Sequence, residues 1–368
     1  VEDMPISTLI GWWALAAGIV FGATANKTNF CTMGAISDMV FMDDYGRMRA
    51  WVLAIAVALI GTTVLHVSGM IDINNSIYRT ANLGWFGAVL GGLMFGFGMT
   101  MAGGCGNKTL VRIGGGNLKS IYVFLIMGIF AIMTLRGLTG MARVEMEALT
   151  NIDLGAAGYT SQGVEELIAS GFGLSADMVR WVLVAILGGG ALVWCFKDAE
   201  FRASPANMLG GLIIGLLIPA GWYITGVLGF DEFEPAPLMS FTFVAPSGET
   251  IQYLMIFSGA TINFGIASVF GVILGSFLMA LGTRSFNLEG FGDAADMLRH
   301  SFGAALMGIG GVLALGCTIG QGITGMSTLA LSSFLALGSI IFGGVLGMKY
   351  MEEGSIFGAL RAMVPGRA

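Results

Sequence analysis

The chain has 368 residues, of which 55% are hydrophobic and only 11% charged, with a net charge of −6. A soluble domain carries about a quarter charged residues, so the composition excludes one and leaves little chain for a separate catalytic domain. A mildly acidic chain without a basic block offers no surface for nucleic acid.

A membrane span needs about 20 mostly apolar residues. Such stretches run over 8–24, 50–71, 83–102, 119–139, 179–196, 207–229, 251–282, 297–316 and 327–348, which predicts about nine transmembrane helices. The first contains Phe21-Gly22 and leads into Asn29-Phe30-Cys31-Thr32-Met33-Gly34, with Lys27 just before it. The third runs through a Met- and Gly-rich sequence, Gly91 to Gly116, that reaches Gly104-Cys105-Gly106-Asn107-Lys108 and then Arg112. After 119–139 comes an acidic segment, 140–178, with Glu145, Glu147, Asp153, Glu165, Glu166 and Asp177 against Arg143 alone. Ser161 to Ser170 predicts a short surface helix with Ser161 as its N-cap. Cys195 lies between Trp194 and Phe196 in an unbroken span and reads as a small packing residue.

The short loop 197–206 carries Lys197 and Arg202, whereas 230–250 carries Asp231, Glu232, Glu234 and Glu249 and no Lys or Arg. Lys and Arg in short loops mark the cytoplasmic side, so 197–206 is expected inside and the two acidic segments outside. The apolar stretch 251–282 suits either one tilted helix with an extension or a span plus a broken piece. The next span carries the sequence Gly303 to Gly325, which reaches Gly316-Cys317-Thr318 and then Gln321. No cleavable leader is read at the N-terminus.

Cys105 and Cys317 align at an offset of 212 residues (317 − 105), each preceded by a glycine and followed by a glycine-rich turn and another apolar span. Ala25 to Cys31 also resembles Leu281 to Asn287, with Arg284 in the polar break. Internal repeats of this kind are the usual architecture of transporters, with the site at the repeat interface near the midplane. The expected fold is therefore an all-α integral membrane protein in two related halves. Residues 1–139 form the first half, 140–178 the acidic connection and 179–368 the second half. Glycine clusters at 103–106, 114–116 and 316–325 are too dense for continuous helix, and irregular backbone survives at membrane depth only inside protein or along a watery cavity. Broken or re-entrant helices meeting near the midplane follow from this.

A path lined by Cys31, Cys105 and Cys317 suits a soft ligand, since a thiol is a weak donor and a polarizable acceptor. Lys27, Lys108, Arg112 and Arg284 lie close by in sequence, so the local field favours an anion over a metal cation. Wide cysteine spacing, no CxxC and only His66 and His300 predict neither a metal site nor a cofactor. No GxxxxGK[ST] motif is present, which argues against ATP-driven transport by this chain.

At these residues the chain resembles the YeeE/YedE sulfur-transport family, which includes thiosulfate uptake proteins. The resemblance rests on Asn29-Phe30-Cys31, on Gly103 to Gly116 and most specifically on Gly316 to Gly325. It implies a multi-pass protein of the bacterial inner (cytoplasmic) membrane, shaped like an hourglass, with short broken helices at the waist. It further implies that Cys31, Cys105 and Cys317 pass thiosulfate along by transient S–H···S contacts. A small cytosolic sulfur-carrier protein of the TusA type is the implied partner. The site residues expected along the path are the three cysteines with Lys27, Asn29, Gly104, Gly106, Asn107, Lys108, Arg112, Arg284, Gly316, Thr318 and Gln321. Two other readings stay open at this point: a membrane sulfurtransferase with a persulfide-forming cysteine and Lys108 as its base, and a non-transporting subunit of a membrane complex.

Overall fold

The computed structural model describes residues 5–231 and 236–363, so Glu232 and Glu234 of the acidic segment lie outside the described residues. The first half of the chain forms α1 (Ile6–Lys27), α2 (Thr32–Phe41), α3 (Gly46–Val67), α4 (Trp85–Met101), α5 (Gly106–Gly114) and α6 (Leu118–Arg136). The connection holds α7 (Leu138–Thr150) and α8 (Val164–Phe172), and a two-residue strand, Ile152–Asp153, that pairs antiparallel with Asn82–Leu83. Then come α9 (Ala176–Lys197), α10 (Ala199–Arg202), α11 (Pro205–Tyr223), α12 (Ala245–Met255), α13 (Phe264–Gly282), α14 (Ala294–Leu313), α15 (Leu331–Glu353) and α16 (Ile356–Ala362).

Eight helical stretches among the described residues are long and apolar enough to cross a membrane. α14 has 20 residues but carries Asp296, Arg299 and His300 in its first two turns, so it falls short on composition although it packs between α4 and α6. The long apolar stretch 251–282 is divided: α12 ends at Met255 and α13 starts at Phe264, with Asn263 capping α13 through its side chain. The short helix expected from Ser161 starts later, with Gly163 at its N-cap. Ser161 instead uses its hydroxyl to accept from the Gly163 N–H and to donate to Glu166.

Glycine sets the helix contacts, because small residues let membrane helices approach closely. A Cβ at Gly22 of α1 would sit 2.0 Å from the Val272 carbonyl oxygen of α13, and one at Gly96 of α4 would sit 2.2 Å from the Ile340 carbonyl oxygen of α15. The contact registers give the directions. Gly18 meets Gly271 and Gly275 meets Ile19, so α1 and α13 run parallel. Gly211 meets Ala50 and Gly215 meets Ala54, so α11 and α3 do the same. α4 runs parallel to α15 and antiparallel to α14, whose Gly303 and Gly310 face Gly98 and Gly91.

These directions bring the C-terminal ends of α1, α4, α13 and α15 to one face, together with the N-terminal ends of α3, α6, α11 and α14. Among the described residues, Arg79, Arg136, Arg143 and Arg180 lie toward the opposite face, and the other Lys and Arg side chains toward the first. The segment Thr283–Gly290 is exposed at the first face, where the Asn287 N–H meets the Gly115 carbonyl. The resemblance of Leu281–Asn287 to the Cys31 region therefore does not extend to a place in the protein interior.

Candidate functional site

One backbone device is followed by a cysteine three times. α1, α4 and α14 each end with a left-handed residue: Asn29 at φ 53°, Gly103 at φ 71° and Leu315 at φ 58°. The next N–H reaches five residues back, Phe30 to Ala25 at 3.2 Å, Gly104 to Met99 at 2.9 Å and Gly316 to Gly311 at 2.7 Å. This is the Schellman closure of a helix C-terminus. In each case a cysteine follows the left-handed residue by two positions, as Cys31, Cys105 and Cys317. Each cysteine then opens a new helical segment. Cys31 is the N-cap of α2, its sulfur accepting from the Gly34 N–H at 3.4 Å, and Cys105 is the N-cap of α5. The Cys317 sulfur accepts from the Gly320 N–H at 3.4 Å, at the start of the widely wound π-helical segment Gly320–Gly325. Helix N-termini present unpaired N–H groups and a positive dipole end, so α2 and α5 favour negative charge at Cys31 and Cys105.

The three turns converge. The Cys31 and Cys105 side chains interact directly, and Cys105 also reaches Thr318, the neighbour of Cys317. The extended segment Phe241-Thr242-Phe243 touches two of the turns. A Cβ at Gly106 would lie 3.6 Å from the Phe243 Cβ, and one at Gly320 would lie 2.4 Å from the Thr242 hydroxyl. All three thiols are buried. Cys195 is buried as well but stands apart in α9, donating to the Arg49 carbonyl of α3 at 3.3 Å.

Two cavities flank this waist. On the lysine- and arginine-rich face a cavity of about 370 Å³ is lined by Lys108, Arg112, Lys119, Arg299 and His300, with Glu289 and Asp296 among them. On the opposite face a cavity of about 830 Å³ is lined by Arg136, Thr225, Met239, Asn263 and Phe264, with Asp231 and Glu249 among them. Phe264 meets Phe241 edge to face (ring centroids 5.2 Å apart), Phe241 stacks on Phe21 (5.5 Å), and Phe21 meets Phe243 edge to face (5.1 Å). This aromatic cluster lies between the larger cavity and the thiols.

The predicted residues fall into distinct places. Lys108 donates to the Asn29 side chain, bridging the Cys105 and Cys31 turns, and lines the smaller cavity. Its ammonium is thus held by an amide oxygen of the neighbouring turn. Arg112 donates to the Gly103 carbonyl at 2.6 Å and lines the same cavity. Lys27 and Arg284 are exposed on that face and do not line it. Gln321 braces its own turn, donating to the Ala314 carbonyl at 2.5 Å and accepting from the Ser333 hydroxyl at 2.6 Å. Gly104 packs against the Lys108 side chain, and Gly316 against the Gln321 backbone. Asn107 accepts from the Cys105 thiol at 2.7 Å, and Thr318 is fully buried.

Sequence reasoning missed several residues here. Lys119, Asp296 and Glu289 form an ion-pair chain at 3.1 and 3.4 Å along the smaller cavity, and His300 bonds the Asp296 carbonyl at 2.7 Å. Charges in the first turns of two apolar helices are the signal that marks them. Arg47, paired with Asp38, lines a small cleft beside Cys31. Phe241 and Phe243 were legible as an alternating aromatic pair in a segment read only for its acidity. Among the described residues no group of three His, Cys, Asp or Glu side chains could hold a metal ion.

The model of the sulphur transport family matches residues 27–346, a stretch that contains all three cysteine turns. The chain belongs to the sulphur transport family. It is similar to a protein named thiosulfate transporter TsuA from Escherichia coli (strain K12), 29% identical over 325 residues that make up 84% of this chain and 85% of that one. It is also similar to a protein of the same name from Spirochaeta thermophila, 26% identical over 337 residues, 88% of this chain and 93% of the relative. This member of the sulphur transport family is an all-α, multi-pass membrane protein.

Proposed function

We propose that the protein imports thiosulfate, or a closely similar reduced sulfur anion, across the bacterial cytoplasmic membrane through the three cysteine turns. The observation that carries this reading is the convergence of Cys31, Cys105 and the Cys317 turn where the helices break, two of the thiols at helix N-termini. The names of the relatives supply the substrate. Thiosulfate has the charge that the dipole ends favour and a terminal sulfur that suits a soft, weakly donating thiol. The positive-inside rule makes the lysine- and arginine-rich face cytoplasmic. Import then starts in the larger cavity at Arg136, passes the phenylalanine cluster and the thiols in the order Cys317, Cys105, Cys31, and ends beside Lys108 and Arg112. Several shallow contacts conduct where one deep site would trap the dianion. The thiols act as hydrogen-bonding contacts, with no covalent step.

The parallel pairs support two halves of inverted topology. α1 with α13 corresponds to α11 with α3, and α4 with α15 to α14 with α6. In this arrangement α4, the Cys105 turn and α6 correspond to α14, the Cys317 turn and α15.

Uptake of ³⁵S-thiosulfate into proteoliposomes tests the reading. Cys31→Ala, Cys105→Ala and Cys317→Ala should each slow uptake by about tenfold or more, which is roughly 1.4 kcal/mol at the barrier. Cys195→Ala should leave it unchanged, and sulfate should compete poorly. Equal tolerance at all four positions, or sulfate competing as well as thiosulfate, would rule out selection by thiols.

A further inference from the structure

Each cysteine of the waist has a polar neighbour with an atom left unpaired. Thr32 follows Cys31, Asn107 stands two residues after Cys105, and Thr318 follows Cys317. Thr32 Oγ1, Asn107 Nδ2 and Thr318 Oγ1 make no hydrogen bond to any described residue, although the three residues are only 1%, 0% and 0% exposed. Leaving a buried donor unpaired costs about 1–3 kcal/mol. Thr109 settles this by bonding back to the Cys105 carbonyl at 3.1 Å, and Thr324 by reaching across to the Phe241 carbonyl at 2.7 Å. Thr32 and Thr318 do neither.

The arrangement around Cys105 gives these atoms a direction. The Cys105 thiol donates to Asn107 Oδ1, which leaves the Asn107 Nδ2 group as a spare donor beside the sulfur. Thr318 comes close to the same sulfur from the opposite turn, without the alignment of a formed hydrogen bond. A soft sulfur thus lies between two hard donors. Thiosulfate has the complementary form: one polarizable sulfur at one end and three oxygens, all acceptors, at the other.

We propose that the Thr318 hydroxyl and the Asn107 amide N–H bind the sulfonate oxygens of the anion while the Cys105 S–H turns from Asn107 Oδ1 to its terminal sulfur, and that Thr32 binds oxygens in the same way beside Cys31. Each station then reads both ends of the substrate. Sulfate satisfies the hard donors and leaves the thiol idle, whereas a sulfur anion without oxygens leaves the hard donors unpaired. This assignment rests on the thiosulfate reading and adds the orientation of the anion and the residues that bind its oxygens.

The test separates donation from packing. Valine matches threonine in shape and lacks the donor, whereas serine keeps the donor and loses the methyl. In proteoliposomes, Thr318→Val should raise the half-saturation concentration for ³⁵S-thiosulfate by about tenfold, the loss of one hydrogen bond to a charged group. Thr318→Ser should stay within about threefold of the parent. Thr32→Val and Thr32→Ser repeat the comparison at the second station and decide it if Thr318→Val does not fold. Valine variants that transport like the parent, or serine variants as impaired as the valine ones, overturn the oxygen-binding assignment while leaving thiosulfate transport intact. A parent protein that carries no thiosulfate at all defeats the transport reading instead, and this inference with it.

Discussion

The Cys105 and Cys317 turns share a helix cap, a cysteine position and a following helical segment, yet their surroundings are opposite. The Cys105 turn leads into a nine-residue helix whose Lys108 and Arg112 line an open cavity. The Cys317 turn leads into Gly320–Gly325, whose residues are all buried and uncharged. It is also clamped from outside. The Val164 N–H bonds the Leu329 carbonyl at 2.9 Å, the Leu331 N–H bonds the Gln162 carbonyl at 3.0 Å, and Arg79 donates to the Thr328 carbonyl at 3.1 Å. Arg79 is in turn paired with the fully buried Glu165, which also binds Arg180 at 2.6 Å. Next to it, burial opposes ionisation of Glu166, but hydrogen bonds from Ser161 and Thr160 outweigh it and hold the carboxyl below its ordinary range. One cysteine turn borders a charged cavity and the other is braced and neutral. Equal backbone devices therefore do not fix equal roles; the side chains that reach them from elsewhere in the fold do.

The largest test of this contrast is at the clamp. Glu165→Gln leaves two buried guanidinium groups without a counter-charge, and removing one partner of a buried pair costs about 3–5 kcal/mol. The melting temperature in detergent should drop sharply, whereas Lys108→Ala on the open side should leave it nearly unchanged. A variant at Glu165 as stable as the parent would show that the Cys317 turn holds itself.

A middle-sized effect is expected at the mouths. Arg112→Ala should raise the half-saturation concentration about three- to tenfold for anion presented from its own face, with the ratio of thiosulfate to sulfate unchanged, because a charge at a mouth raises local concentration without distinguishing ions of equal charge. Arg136→Ala should do so from the opposite face. Oriented vesicles loaded from either side report the two separately, and a shift in the ratio would place Arg112 in selection rather than capture.

The smallest effect concerns the caps. Leu315 holds a left-handed conformation that costs an L-residue about 1–2 kcal/mol, and its side chain is 42% exposed, so little burial is at stake. Leu315→Gly should stabilise the protein by about 1 kcal/mol. Gly103→Ala at the equivalent place should cost a similar amount. Unfolding curves that move both variants in the same direction would contradict the equivalence of the caps.

The composition and the apolar runs determined that the chain spans a membrane many times, because no other solvent accepts so much apolar surface. The repeated glycine and cysteine pattern marked where the helices break, because the cysteine after each break is chemically conspicuous; glycine density alone did not, since Gly188-Gly189-Gly190 continues α9 unbroken. Cys195 was legible as a packing residue for the converse reason, an unbroken span. Tertiary structure alone decided which charges matter. Lys27 and Arg284 are as close in sequence to the turns as Lys108 and Arg112, yet they are exposed away from the cavity, because helix direction sends residues a few positions apart to different sides. It alone brought Lys119, Asp296 and Arg299 to the mouth, Phe241 and Phe243 against the thiols, and Glu165 out of an apparently solvated acidic segment into a buried pair with Arg79 and Arg180. Each of these depends on contacts between residues distant in the chain, and spacing along a sequence carries no information about which helix will stand beside which.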